Sequence, residues 1–521
     1  MNGITKDPAL LGTDLDFADS SANFWLMTTA IPEGYNTPIP KSITTPDIVE
    51  TRVGRLEFVD GVPTRETSSM LWDHLDFMRS VEAFLNCVPP ASMQAMIVGL
   101  ESLGLDACNK AVIADELLDS NGLFLTGNTD TVYTAVLLDL DRDGPTVVEI
   151  PPGCGPGTVN DAWFRFVVDM GAPGPDRGAG GRYVILRDDD DTTVVPDDVF
   201  VARTPSQANF LVLRGFLVDG KPDAATEMFR NGLKAYPLAA ADNPPEMEFI
   251  SMSGKEFNTI HSNDATFFNE LNEVIQREPI GVIDHETRGL LASIGIEKGK
   301  PFAPDDRMQE ILSEAAAVAN GTARAIDFRP RDPETLIYED RRWTTAFVGG
   351  DYRWLRRDGE GGRNLDARTL FFYFATVNTP AMALKMVGVG SQYAAAMTDA
   401  DGEPLDGSVN YRLNLPAGIP AKDFWSIVIY DPQTRSELQT GQRYPSLNNA
   451  RDQLQYNDDG SIDLFFGPEA PADGGSNWIQ SVPGKSWFTL IRLYGPLESW
   501  FDKTWRPGDF ERITKAAEEQ K

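Results

Sequence analysis

Histidine is nearly missing from this chain: His74, His261 and His285 are the only three among 521 residues. A histidine-built zinc, iron or copper centre would need nearly all of them, and His74 sits in a helical pattern between Leu71 and Leu75, where packing explains it. No transition metal and no cofactor are therefore expected. Calcium needs only oxygen ligands, but the string "DADGEPLDG", which offers Asp399, Asp401 and Glu403, reads better as a hairpin tip. Cysteine is as scarce. Cys87, Cys108 and Cys154 have no close spacing and read as free thiols of a reducing compartment. Positive charge is also short, with 46 Lys and Arg against 78 Asp and Glu and a net charge of -32. Such a field repels phosphate backbones, so nucleic acid is not an expected partner. No apolar run approaches the ~18 residues that would cross a bilayer. The opening "MNGITKDPALLGTDLDFADSS" has no basic region followed by an apolar one. The expectation is a soluble, cytoplasmic protein with no membrane partner. Motifs are missing too. No Gly-x-Ser-x-Gly elbow occurs, "VPGKSW" lacks the upstream glycine of a phosphate loop, "HETRG" lacks a second histidine, and no dinucleotide fingerprint is complete.

What is present is an ordinary globular composition, 41% hydrophobic and 10% aromatic, and a length sufficient for more than one core. A proline-dotted arm, residues 1–45, carries Phe24, Trp25, Leu26 and Ile31 without regular periodicity. A segment of that kind orders only by packing on something, and a neighbouring subunit would serve, so a homo-oligomer is expected. In residues 46–221 an alternating strand ending at the turn "DGVP" is followed by a helix that places Leu71, Leu75, Met78 and Leu85 on one face and stops at Pro89–Pro90. A second helix groups Met93, Met96, Ile97 and Leu100 and ends near Gly104. From Phe124 onward, "TVYTAVLLDL", "PTVVEIPP", "AWFRFVVDM", "GRYVILR" and "FLVLRGFLVDG" are short apolar runs punctuated by Gly, Pro and Asp, as in a sandwich or barrel. Residues 222–340 turn helical, and 341–521 return to strands at "NYRLNLP", "FWSIVIYD", "SIDLFFGP" and "WFTLIRLYGP".

Two of these blocks look familiar. The first is "GNTDTVYTAVLLDLDRDGPTVVEIPP", continuing to "GPDRGAGGRYVIL". The second runs through "NYRLNLPAGIPAKDFWSIVIYDPQT", "RYPSLNN" and "NWIQSVPGKSWFTLIRLYGP". In this order they resemble the tandem bacterial domains of unknown function DUF1254 and DUF1214. The resemblance implies a mixed, mainly β fold: two β-sandwich, jelly-roll-like parts joined by a helical section. It implies no chemistry.

Candidate site residues cluster at "GNTDTVYT". Gly127-Asn128 suits a tight bend, with Thr129 or Asp130 bonding nearby amides. The same letters also suit the polar floor of a cleft. Period-two alternation puts Asp130 and Tyr133 on opposite faces, so a cleft would combine one of them with the glycine-rich "PGPDRGAGGRY", which presents Asp176, Arg177 and Tyr183. With few histidines and no activated serine, proton work would fall to Asp130 and Asp176 as an acid–base pair, with Tyr133 as a proton donor or stacking ring. Asn128, Arg177 and Tyr183 would bind substrate, joined by Arg443, Tyr444 and Arg492 from the C-terminal strands. The expectation is a hydrolase of a polar organic substrate, a glycan or glycoside among the candidates. A non-catalytic carbohydrate or small-molecule binding protein, favoured by ten tryptophans, and an oligomeric assembly protein are the alternatives.

Overall fold

The computed structural model describes residues 34, 37–471 and 475–513. Phe24, Trp25, Leu26 and Ile31 of the expected arm lie outside them. The chain divides into two compact units, Met1–Trp72 and Asp73–Lys521. In the first, Ile48–Thr51, Gly54–Val59 and Val62–Pro63 form a three-stranded antiparallel sheet. Everything below concerns the second.

Its fold is mixed and mainly β, with helices between two sheet-bearing parts. The N-terminal part has a six-stranded sheet in the order Glu248–Ser251, Lys110–Ile113, Thr131–Asp139, Ala208–Phe216, Pro156–Asp161, Phe166–Gly171. Strand side chains alternate between faces, and both faces of this sheet are covered. Val132, Val136, Leu138, Leu211 and Leu213 pack on Val148, Ile150, Tyr183 and Ile185 of a four-stranded sheet. The alternate set, Tyr133, Ala135, Leu137, Phe210 and Val212, packs with Met93 and Met96 of the helix Val88–Glu101, and with Phe267 and Phe371 of Thr266–Arg277 and Leu365–Phe374. Double coverage explains why Thr131–Asp139 reads as an unbroken apolar run: eight of its nine residues are buried.

The C-terminal part repeats the plan. Ser391–Ala396, Ser486–Pro496 and Ala421–Tyr430 are consecutive in a six-stranded sheet. One face, with Trp425, Ile427, Ile491 and Leu493, packs on Tyr411, Leu413, Leu464 and Phe466 of a four-stranded sheet. The other face, with Val428, Tyr430, Phe488 and Leu490, meets Leu370 and Phe374 of the helix Leu365–Phe374. Most pairings are antiparallel, but four run parallel: Glu248–Ser251 with Lys110–Ile113, Phe257–Asn258 with Gly122–Leu123, Gly181–Arg187 with Phe200–Thr204, and Ile462–Gly467 with Trp478–Gln480.

Two local expectations change. Pro89 and Pro90 do not close the first helix, which ends at Asn86. They open the second, Val88–Glu101, where their missing amides would be unpaired in any case. The two helices are bent by 59°, and among the described residues no single helix is long and apolar enough to cross a membrane. Met78, placed on the buried stripe by spacing, is 46% exposed, while Ala83, Phe84 and Cys87 carry that packing at 0%. The last turns of the helix are where its apolar side chains are fully covered.

Candidate ligand-binding cleft

The DADGEPLDG tip is a turn: Asp399 accepts from the amides of Asp401 and Glu403 at 3.1 and 3.0 Å and pairs with Arg512 at 2.6 Å. The chemistry gathers elsewhere, where the helical-side faces of the two large sheets meet. Tyr133 and Arg214 are directly opposite on neighbouring strands of the N-terminal sheet, and the Arg214 guanidinium lies over the Tyr133 ring at 5.3 Å. Tyr393 and Arg492 are directly opposite on neighbouring strands of the C-terminal sheet. All four line one cleft of about 690 Å³, measured with its open mouth, together with Phe124, Val212, Phe347, Phe371, Val377 and Leu490. The enclosed space within it is small, about 60 Å³, and the rest is open mouth. Among the described residues no carboxylate lines the cleft.

The polar groups there are underused. The Arg214 guanidinium has no ion pair among the described residues and faces the Tyr133 and Tyr393 phenols, while the buried Tyr393 hydroxyl and Arg492 Nη1 find no acceptor among them. An unpaired buried donor costs about 1–3 kcal/mol, more when charged. Arg492 Nη2 donates to the carbonyls of Thr126 and Gly127 at 2.7 and 3.2 Å. Burial opposes its charge, yet Tyr430, Tyr494 and Asp130 hold its pKa above the usual arginine value. Burial also lifts the Tyr133 phenol above its ordinary value, against the pull of Arg214 and Arg492. Backbone strain converges on the same place. Thr126 and Val377, both β-branched and both lining the cleft, have φ of 39° and 62°. Such residues cost about 1–3 kcal/mol each and concentrate at functional sites.

Behind the cleft, the "GNTD" turn resolves into a lock between the two sheets. Asn128 donates to the Tyr133 hydroxyl and accepts from the Asp130 amide at 2.9 Å. The Gly127 carbonyl accepts from Tyr430 at 2.6 Å, and Thr129 meets Ser446 at 2.6 Å. Asp130, fully buried, accepts from Ser426, from Asn448 at 3.2 Å and from Tyr494 at 3.2 Å. Every one of those partners belongs to the C-terminal sheet. Family models match here in two places: DUF1254, a protein family of unknown function, over residues 108–237, and DUF1214, likewise of unknown function, over 390–498. The chain carries both in tandem.

The cleft and the lock thus lie where the DUF1254 segment meets the DUF1214 segment. The crystal structure of the VPA0106 protein from Vibrio parahaemolyticus is similar at 17% identity and a TM-score of 0.52, covering 84% of this chain and 100% of that one. An uncharacterised protein from Burkholderia cenocepacia is similar at 13% identity and a TM-score of 0.37, covering 86% and 98%. No curated protein matches. The first likeness speaks to the fold.

Of the residues singled out in sequence, the structure brings Tyr133 and Arg492 into the cleft, with Asn128 and Asp130 directly behind. The others lie apart. Asp176 accepts from the amides of Gly171 and Gly178 at 2.8 and 3.1 Å and from the Tyr183 hydroxyl, which shapes its own glycine-rich loop. Arg177 is exposed on that loop at φ 52°. Asp130 and Asp176 share no hydrogen-bond partner. Arg443 and Tyr444 hold Glu116 at 2.7 and 2.6 Å. Arg214, Tyr393 and Glu437 were missed. A charged residue inside the apolar run "FLVLRGFLV" is the signal that could have found Arg214. Glu437 is the most unusual of the three: it is 2% exposed, neither carboxyl oxygen has a partner among the described residues, and burial pushes its pKa up to about 8 despite Arg492.

Proposed function

We propose that the cleft binds a small organic acid. The oxyanion head lies between the Arg214–Tyr133 and Tyr393–Arg492 pairs, and an apolar body rests on Phe124, Phe347 and Phe371. The observation that carries this is the pairing itself: each sheet presents one arginine and one tyrosine as direct cross-strand neighbours to a shared space without a lining carboxylate. Two guanidiniums facing an apolar wall cost desolvation unless an anion answers them. Arginine is suited to that answer through its forked donors. The test is calorimetry with hexanoate and benzoate against hexanol and benzyl alcohol. The acids bind and the alcohols do not; equal binding of acid and alcohol refutes the reading.

A second reading keeps hydrolysis. A small recess shares Val212, Arg214, Val377 and Met382 with the cleft and contains Asp169, whose pKa burial raises to about 6, against its hydrogen bond from Thr379 at 2.7 Å. A carboxylate tuned near neutrality beside a bound anion is suited to general-base work. Under this reading Asp169→Asn retains acid binding and abolishes turnover of a carboxylate-bearing ester.

A further inference from the structure

Away from this cleft, residues 163–166, 282–287 and 352–378 surround a second one, about 1450 Å³ with its open mouth. In a chain of net charge -32, its lining holds four arginines, Arg165, Arg353, Arg363 and Arg368, and one carboxylate, Asp284. Two of the arginines are neutralised. Arg165 pairs with Asp161 at 2.5 Å, and Arg353 pairs with Asp351 at 3.1 Å. Asp284 is occupied as the cap of the helix His285–Ser293, accepting from the Thr287 amide at 2.9 Å.

Arg363 and Arg368 have no such partner. Arg363 makes no side-chain hydrogen bond or ion pair among the described residues. Arg368 donates to the neutral Asn86 side chain and keeps a buried Nε without an acceptor. Partial desolvation and the like charges of Arg165 and Arg353 hold Arg363 below the usual arginine value, against Asp351 and Asp284. Burial, and then Arg363 itself, bring Arg368 down to about 10. Like charges gathered in this way, without their counterions, attract a multiply charged anion on an otherwise acidic surface.

We propose that this cleft is a second ligand site, for an organic phosphate whose phosphoryl oxygens are received by Arg363 and Arg368 and whose body lies on Trp163 and Tyr352. A phosphate monoester carries about 1.5 to 2 negative charges near neutral pH and three acceptor oxygens, which matches two unneutralised guanidiniums. A carboxylate matches only one. Trp163 and Tyr352 are half-buried rings on the cleft wall, each already beneath an arginine, Arg165 at 5.9 Å and Arg353 at 5.3 Å. They offer flat surfaces to an aromatic or heterocyclic body.

The test is calorimetry at low salt with phenyl phosphate, phenylacetate and inorganic phosphate, on the full chain carrying Arg214→Gln so that acid binding in the first cleft does not contribute. Phenyl phosphate binds tightest, and phenylacetate and inorganic phosphate each bind about tenfold or more weakly. Arg363→Gln, at an exposed position, leaves melting unchanged and weakens phenyl phosphate about tenfold or more. Arg331→Gln, a control whose side chain is 86% exposed, has no effect. Absence of saturable phenyl phosphate binding below about 10 mM, or binding that Arg363→Gln leaves intact, overturns the site. Phenylacetate binding as tightly as phenyl phosphate overturns the phosphate assignment, and inorganic phosphate doing so overturns the role given to Trp163 and Tyr352.

Discussion

Replacing Glu437 by glutamine should make the protein more stable, and increasingly so as pH rises. The carboxyl is walled in behind Gly127, whose added Cβ would stand 3.6 Å from Oε1, and neither oxygen is hydrogen-bonded. Burial raises its pKa from 4.5 to about 8, with Asp119 and Asp130 adding to the rise and Arg492 and Arg451 opposing it. The folded value lies above the unfolded one, so its stabilising effect is fully present below pH 4.5 and is lost as pH climbs to about 8. Over that interval the unfolded chain releases the proton while the native one keeps it. Each pH unit then weakens folding by about 1.4 kcal/mol, giving an upper bound of about 5 kcal/mol from this group. Glutamine has the same shape and no proton to lose. Urea unfolding of both proteins at pH 5, 6, 7 and 8 gives a difference in stability that grows from near zero toward several kcal/mol. Other buried acids, Asp169 and Asp327 among them, titrate in both proteins and cancel in the difference. Parallel curves across that range, or a gap that widens toward low pH, would falsify the assignment of a neutral Glu437.

Three further outcomes follow from geometry. Arg214→Gln should weaken hexanoate about tenfold or more by calorimetry, with melting unchanged or raised, since it removes an unpaired charge. Asp130→Asn should lower stability in urea by about 2 kcal/mol, because one of the oxygens accepting from Ser426, Asn448 and Tyr494 becomes a donor. Gly99→Ala should cost about 3 kcal/mol or prevent folding, because its Cβ would stand 2.1 Å from the carbonyl oxygen of Asn258 and backbone would have to move.

Sequence reading succeeded where periodicity and burial coincide. "TVYTAVLLDL" is legible as a strand because sheet and helices cover both its faces, and the Met93–Leu100 stripe because the helix bearing it is buried nearly all round. It also pointed at a cluster whose polar groups are heavily engaged, since a Gly-Asn-Thr-Asp string before an apolar strand marks a place where polar groups must find partners. It could not say which partners. Tyr133 meets Arg214, and Tyr393 meets Arg492, through strand register, and register depends on pairings between strands far apart in the chain. Asp176 was attractive for its glycine-rich surroundings, but those glycines serve a loop whose amides the carboxylate itself collects. Pro89 and Pro90 misled because a proline pair reads alike at the end of one helix and the start of the next.

The lock at Gly127–Asp130 also constrains how the chain can be made. Ser426 lies 296 residues after the Asp130 carboxylate it serves. At about 5–20 residues per second, the ribosome needs roughly a quarter of a minute to a minute to supply it. Once its own strands are made, the nascent DUF1254 segment still lacks Ser426, Asn448 and Tyr494, the side chains that donate to Asp130 in the finished protein. Its helix-facing surface, Tyr133, Ala135 and Leu137, is also still without Phe371 and Phe372. Maturation is therefore a late, single event of high contact order, and the half-made chain is an expected client of holding chaperones. Cutting the gene between the two segments should yield two poorly soluble fragments that regain a native fold only when produced together.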